Sequence, residues 1–260
     1  MENENNSREI NASICNNLAI LYARIGSYDK AFNYFKKAII LRENMNKEDR
    51  NLINNYYNIS KLYNKENNYV MAISYYLKRI KLLEKLVKTD NSLTNTLINS
   101  YDDIAGLYVK NNDYDNGIKY YLKEKNYLKK QLYNIDKTIN VYQNIIDTYI
   151  LMCDSQNVIT YYLKLIKLLE NKTDDKYKSI LAHSYMMLGN YYNYLKEYSL
   201  AKKYYLENTK IREESNHKSP YDDNFLMISY IHLLSLYSRE EDRENTLLMK
   251  SKLDKIIKNI

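Results

Sequence analysis

Three histidines, two cysteines and a pair of adjacent aspartates carry the most reactive groups of this chain, and their spacing does not organise them into a site. His183, His217 and His232 lie in the last third. No two of them stand four apart, the spacing that lets one helix offer both to a zinc ion. Cys15 and Cys153 belong to no nucleophile motif and are too far apart for a disulfide framework, so they read as free thiols inside helices. Asp102 and Asp103 are neighbours. Adjacent helical residues point in different directions, so the pair has no division of labour between acid and base. A Gly-rich phosphate loop and a Gly-x-Ser-x-Gly elbow are both missing. The residues therefore point to a non-enzymatic protein with no cofactor, no metal and no catalytic group.

What must position any other site is a repeat. Six tyrosines, Tyr22, Tyr63, Tyr108, Tyr149, Tyr192 and Tyr237, follow one another at intervals of 41, 45, 41, 43 and 45 residues. A near-constant period in this range means one helical hairpin copied and stacked. With only 4 Gly and 1 Pro in 260 residues, an all-helical chain fits better than a turn-rich one. In the first hairpin, Leu18, Ala19 and Tyr22 share one helical face, and Ala31, Phe35 and Ala38 share another. Gly26 stands between the two helices, where a left-handed cap is easy for glycine, and Tyr28 opens the second helix.

The same slots recur along the chain. A large apolar slot holds Leu18, Ile59, Ile104, Ile145, Leu188 and Leu233, and the next is small as Ala19, Ser60, Ala105 and Gly189. On the second helix a mostly small slot reads Ala31, Ala72, Gly117, Val158 and Ala201, and an aromatic slot reads Phe35, Tyr76, Tyr121, Tyr162 and Tyr205. Tyrosine at such recurrent positions is core, with its hydroxyl reaching the rim or a partner group. The fourth copy departs, with Ile146 in the small slot and Cys153, Ser155 and Val158 in place of Gly, Tyr and Ala, so its helices are expected to pack further apart. The sixth ends in Glu241, Arg243, Thr246 and Lys250, a polar ending expected of a terminal cap. Pro220 can break the chain between the fifth and sixth copies.

The chain resembles the tetratricopeptide repeat family. The stretch Asn16-Asn17-Leu18-Ala19-Ile20-Leu21-Tyr22, followed by Gly26-Ser27-Tyr28-Asp29-Lys30-Ala31, is most similar to the kinesin-light-chain type, whose period also lies in the low forties. The resemblance implies an all-α, right-handed superhelical solenoid of six helix-turn-helix repeats. Residues 1–11 are then a polar tail and residues 12–260 the solenoid, with units near 12–52, 53–97, 98–138, 139–181, 182–226 and 227–260.

The resemblance also implies a concave wall lined by the first helix of each repeat. Carried onto this chain, the wall positions that could hold a peptide are Asn16, Asn17 and Arg24 in the first unit and Asn54, Asn58, Lys61 and Lys65 in the second. Further along they are Asn99, Asp102 and Asp103, then Asn140, Asn144 and Asp147, then Asn190. Of the 30 wall positions in five units, 10 are Asn, while Asn is 35 of 260 residues overall, so composition does not account for the enrichment. An Asn side chain offers the acceptor and donors that a peptide bond needs, and each such bond nets roughly 1 kcal/mol, so a row of them is required. Arg24, Lys61, Lys65 and Lys110 make the first half of the wall basic, and Asp102, Asp103 and Asp147 make its middle acidic. A ligand with an acidic stretch followed by a basic one would match in register. The two-carboxylate clamp of chaperone adaptors in this family is broken here. Asn58 matches one clamp slot, but Asn16, Ile20, Asn99 and Asp103 occupy the others.

These observations favour an interaction scaffold or adaptor that holds an extended peptide or protein segment. The alternatives are a peptide-sensing regulator acting through a separate effector, and a structural subunit of a complex. The formal charge of +7 comes mostly from Lys, Arg is sparse and no run of five or six basic residues occurs, which argues against a nucleic-acid partner. No apolar run approaches the 18 residues of a membrane span, and Met1 to Arg8 are polar, so a soluble cytoplasmic protein is expected.

Overall fold

In the computed structural model, residues 2–45, 50–130, 134–215 and 222–258 are described. They form twelve α-helices with a single 3-10 turn at Asn91–Leu93. In chain order these are α1 (Glu2–Arg24), α2 (Tyr28–Glu43), α3 (Arg50–Lys65), α4 (Tyr69–Leu86), α5 (Thr94–Lys110) and α6 (Tyr114–Lys130). There follow α7 (Ile135–Leu151), α8 (Ser155–Leu169), α9 (Asp175–Tyr194), α10 (Tyr198–Glu214), α11 (Asp222–Arg239) and α12 (Arg243–Ile257). Consecutive pairs make six hairpins, and the fold is an all-α repeat solenoid.

The turn between the two helices of every hairpin is the same, and it explains the tyrosine period. The carbonyls of Tyr22, Tyr63, Tyr108, Tyr149, Tyr192 and Tyr237 each accept a bond from the N–H five residues on, at 2.8–3.0 Å. The residue just before that N–H is left-handed in every copy: Gly26, Asn67, Asn112, Cys153, Lys196 and Glu241 have φ between 56° and 79°. This is the Schellman closure of a helix C-terminus. The second helix then starts on a cap. Asp113, Asp154 and Asp242 each accept the backbone N–H and the side-chain amide of the Asn three residues on, Asn116, Asn157 and Asn245. Asn68 caps Met71 in the same way.

Only the first of the six left-handed positions is glycine. A side chain there costs roughly 1–2 kcal/mol, less for Asn. Lys196→Gly and Glu241→Gly are therefore each expected to stabilise the chain by about 1 kcal/mol in denaturant unfolding, while Asn67→Gly changes little.

Four tyrosines of the period also stack within their hairpins. Tyr22 lies on Tyr34, Tyr63 on Tyr75, Tyr108 on Tyr120 and Tyr192 on Tyr204, with centroids 5.4–5.7 Å apart and planes within 12°. The next residue in each second helix is the aromatic slot, and Phe35, Tyr76, Tyr121, Tyr162 and Tyr205 are all buried. Neighbouring hairpins pack the second helix of one on the first helix of the next: α2 on α3, α4 on α5, α8 on α9 and α10 on α11. A carboxylate staple crosses three of these junctions. Glu43 accepts from Tyr56 and faces Lys78, Glu84 accepts from Tyr101 and faces Lys123, and Glu213 accepts from Tyr230 and faces Lys252. The lysine partners are substantially exposed and add little; the phenol bonds are partly buried and set the register.

Two features depart from the sequence reading. The stretch 1–11, set apart there as a tail, is helical from Glu2 onward, because no Gly or Pro interrupts the ladder that continues into Ala12. The expected single solenoid divides into two compact units, Met1–Val141 and Tyr142–Ile260. The division falls in the fourth repeat, which departs most from the pattern. In sequence register, the Glu of the staple is replaced by Lys129 just before it. His217 and Pro220 lie outside the described residues.

Candidate functional site

In the first unit, α1 and α3 present neighbouring faces with Phe35 of α2 beneath them, and between them is a cavity of about 510 Å³. Its apolar part is Ile20, Ala23, Phe35, Tyr57 and Leu62, and its polar part is Arg24, Asn58, Lys61, Asn64 and Lys65. Three cations and no carboxylate line it. Asn58 donates from Nδ2 to Oδ1 of Asn16 at 3.1 Å, so two wall asparagines are joined across the helices and each keeps amide capacity for a ligand. Lys65 lies 5.0 Å over the ring of Tyr28 and Lys61 lies 5.8 Å over Tyr57, which holds both ammonium groups along the rim.

Further along the same unit the wall becomes a mixed network. Arg79 is 6% exposed, its guanidinium lies 4.4 Å over Tyr57, and its Nη1 is 3.9 Å from Asp103 Oδ2. Asp103 also accepts from the Tyr76 hydroxyl at 2.9 Å. Burial, followed by the Asp103 carboxylate, raises the Tyr76 phenol well above its usual value. Burial lowers Arg79, partly offset by Tyr76 and Asp103. Glu124 of α6 is also 6% exposed. Burial first, then Asp102, pushes its carboxyl up to about 8, against the opposing pull of Lys137. Asn99 is exposed and accepts from Lys137 Nζ at 3.2 Å.

The remaining wall positions are more scattered. Asn17, Asn54 and Asn140 are exposed, as is Asp102. In the second unit, Asn144 is half-buried and partial burial raises Asp147. Asn190 accepts from Tyr205 at 2.8 Å and turns its amide toward Met187 Sδ at 3.9 Å. The structure thus brings Arg24, Asn58, Lys61 and Lys65 together at one cavity, with Asn16 bonded to Asn58, and Asn99, Asp102 and Asp103 into one network. It ties Asn190 back into its own hairpin. Arg79 and Glu124 were missed by the sequence reading. Their signal was the slot three residues after the aromatic one, which holds Ala38, Arg79, Glu124, Leu165 and Asn208, all buried. A charge in a buried slot marks a polar network.

His183 and His232 serve packing. His183 meets Phe225 edge-on at 5.7 Å and His232 stacks on Tyr205 at 5.0 Å. Burial lowers both imidazoles, with Arg212 adding to the effect at His183. Among the described residues no group of three or more His, Cys, Asp or Glu could hold a metal ion, and no helix is long and apolar enough to cross a membrane.

Two models of the tetratricopeptide repeat match the chain, one over residues 11–85 and another over residues 182–215. The first match covers the hairpins that make the cavity, and the second covers α9 and α10. These two stretches are tetratricopeptide repeats. A search of curated protein sequences finds no match. Among solved structures, BtubC (BKLC) from P. vanneervenii is similar over 99% of this chain and 91% of its own, at 16% identity and a TM-score of 0.53. The putative kinesin light chain repeats of Podosopora anserina are similar over 79% of this chain and 97% of theirs, at 12% identity and a TM-score of 0.56. The C-terminal part of a repeat protein from Cytophaga hutchinsonii is similar over 96% of this chain and 86% of its own, at 14% identity and a TM-score of 0.59. At these identities the likeness is one of fold. Tetratricopeptide repeats generally act as protein-interaction scaffolds.

Proposed function

We propose that this tetratricopeptide-repeat chain is a non-enzymatic scaffold that holds an extended peptide segment against the asparagine-bearing helices of its first unit. The observation that carries this reading is the cavity between α1 and α3, where an apolar floor is ringed by Arg24, Lys61 and Lys65 and by the amides of Asn58 and Asn64. An apolar side chain would fill the floor, with carboxylates on neighbouring residues reaching the three cations. The amides would hold the backbone without selecting its side chains. Asp102 and Asp103 on α5 would favour a basic residue beyond the acidic stretch.

The test is affinity capture of binding segments followed by titration with labelled peptides. Lys61→Glu combined with Lys65→Glu is expected to weaken an acidic peptide by roughly tenfold or more, the equivalent of about 1.4 kcal/mol. Asn58→Ala should weaken acidic and neutral segments alike. Equal affinity of the charge-reversed and original proteins for every captured segment would overturn the reading.

A further inference from the structure

Every hairpin has two stacking edges. The contacts at the junction of the fifth and sixth hairpins show which residues meet there. Ser229 donates to Asn208 at 2.9 Å. Arg212 lies 4.6 Å over Phe225, and Lys202 lies 5.3 Å over Tyr237. The corresponding pair at the first junction is Phe32 and Tyr63, with ring centroids 4.3 Å apart. The residue types change between junctions, but these positions face each other.

At the two ends of the chain the same positions are uncovered and apolar. On α1, Ile14 is 50% exposed where Asn55, Ser100 and Ser229 are at most 2% exposed, and Leu21 is 55% exposed where Leu62 and Leu107 are at most 5%. Ile10 and Ile25 extend the stripe at 54% and 72%. On α12, Leu247 is 66% exposed where Ile73, Ile118 and Ile159 are at most 7%, and Ile257 is 53% exposed where Leu83, Leu128 and Leu169 are at most 4%. The polar ending expected of α12 is thus interrupted on the edge where a cap should be polar. We infer that copies of this chain stack head to tail, the α12 edge of one on the α1 edge of the next, by continuing the interface that joins its own hairpins.

The register of that contact is fixed by the internal junctions. Moving each pair forward by one repeat sets Leu253 against Ile14, Ile257 against Ile10 and Leu247 against Tyr22 of the following copy. Every pair is apolar, although the pairs they replace include a hydrogen bond and two cation–π contacts. Desolvation of matched apolar surface is the driving term for such an interface. The staple position is the exception. It sets Lys258 against Lys37, where three of the internal junctions have a carboxylate against a lysine, so this one contact opposes association. The interface joins two different surfaces, so association continues from copy to copy unless the stack closes into a ring.

Sedimentation velocity of the full chain over a wide concentration series tests this. The unmodified chain is expected to grow beyond a dimer as concentration rises. Ile10→Asp and Ile257→Asp, each at an exposed position and checked for an unchanged melting curve, are each expected to weaken self-association roughly tenfold or more. Mixed together, the two variants should form a dimer and stop there, because each retains the edge that the other lacks. Lys258→Glu should tighten association by removing the like-charge contact. A chain that stays monomeric at all concentrations would overturn the inference. So would association that Ile257→Asp leaves unchanged, since that would mean α1 pairs with α1. The peptide-binding reading is unaffected by either outcome, because the cavity residues are not substituted.

Discussion

Gly189→Ala is expected to destabilise the second unit by about 2 kcal/mol, while the same substitution at Gly106 stabilises the first by up to about 1 kcal/mol. Both glycines lie inside first helices of hairpins, so both substitutions gain helix propensity. They differ in what the new Cβ meets. At Gly189 it would lie 2.7 Å from two ring carbons of Tyr205. That ring cannot move aside: it is fully buried, its hydroxyl is held by Asn190, and its face is covered by His232. At Gly106 the nearest atom is the Tyr121 hydroxyl at 3.9 Å, an ordinary contact. Chemical denaturation of the two variants measures both signs. A stabilising Gly189→Ala would mean that Tyr205 can repack, and the close approach of α9 to α10 would lose its explanation.

That close approach was legible in the sequence, and so was most of the fold. The tyrosine period could be read because those residues serve two purposes. The carbonyl closes the helix end in all six copies and the ring stacks on the second helix in four, so neither role tolerates a shift in position. The small slot was legible at Ala19, Ala105 and Gly189 for the reason just given. The left-handed residue was recognised only at Gly26, because Cys153, Lys196 and Glu241 have side chains that give no sign of positive φ; the Schellman bonds around them hold the conformation. The division into two units was not legible, since the departures of the fourth repeat are single substitutions within an unbroken helical pattern. For the candidate site, the family register put Arg24, Asn58, Lys61 and Lys65 among the wall positions, and it is the structure that adds the cavity they line. The register could not tell that Asn190 is tied to Tyr205, nor that Lys137 reaches back to Asn99, because those bonds depend on side-chain reach between helices. Arg79 and Glu124 were hidden because a core slot is expected to be apolar.

Glu124 should make the chain lose stability as pH rises through the neutral range, and Glu124→Gln should remove most of that loss. The carboxyl is buried beside Asp102 and Asp103, with Lys137 as the nearby cation, and it titrates near 8 when folded. An unfolded glutamate titrates near its ordinary value of about 4.3. Between those values the folded chain keeps a proton that the unfolded chain has lost. Stability contributed by the protonated group is therefore complete below the unfolded value and is lost as pH rises toward 8, at up to about 1.4 kcal/mol per pH unit. The lowered imidazoles of His183 and His232 act below the ordinary histidine value, and the raised tyrosines act above 10. The interval from pH 7 to 8 accordingly isolates Glu124. Gln has the same shape and no proton to lose, so denaturant unfolding of Glu124→Gln should match the original chain near pH 5 and exceed it near pH 9. Asp102→Asn should shift the loss to higher ionisation, lowering the pH at which Glu124 gives up its proton, because the carboxylate that repels its charge is gone. Parallel pH profiles for Glu124→Gln and the original chain would show that Glu124 is ionised in the folded state, and that water or a closer approach of Lys137 solvates it there.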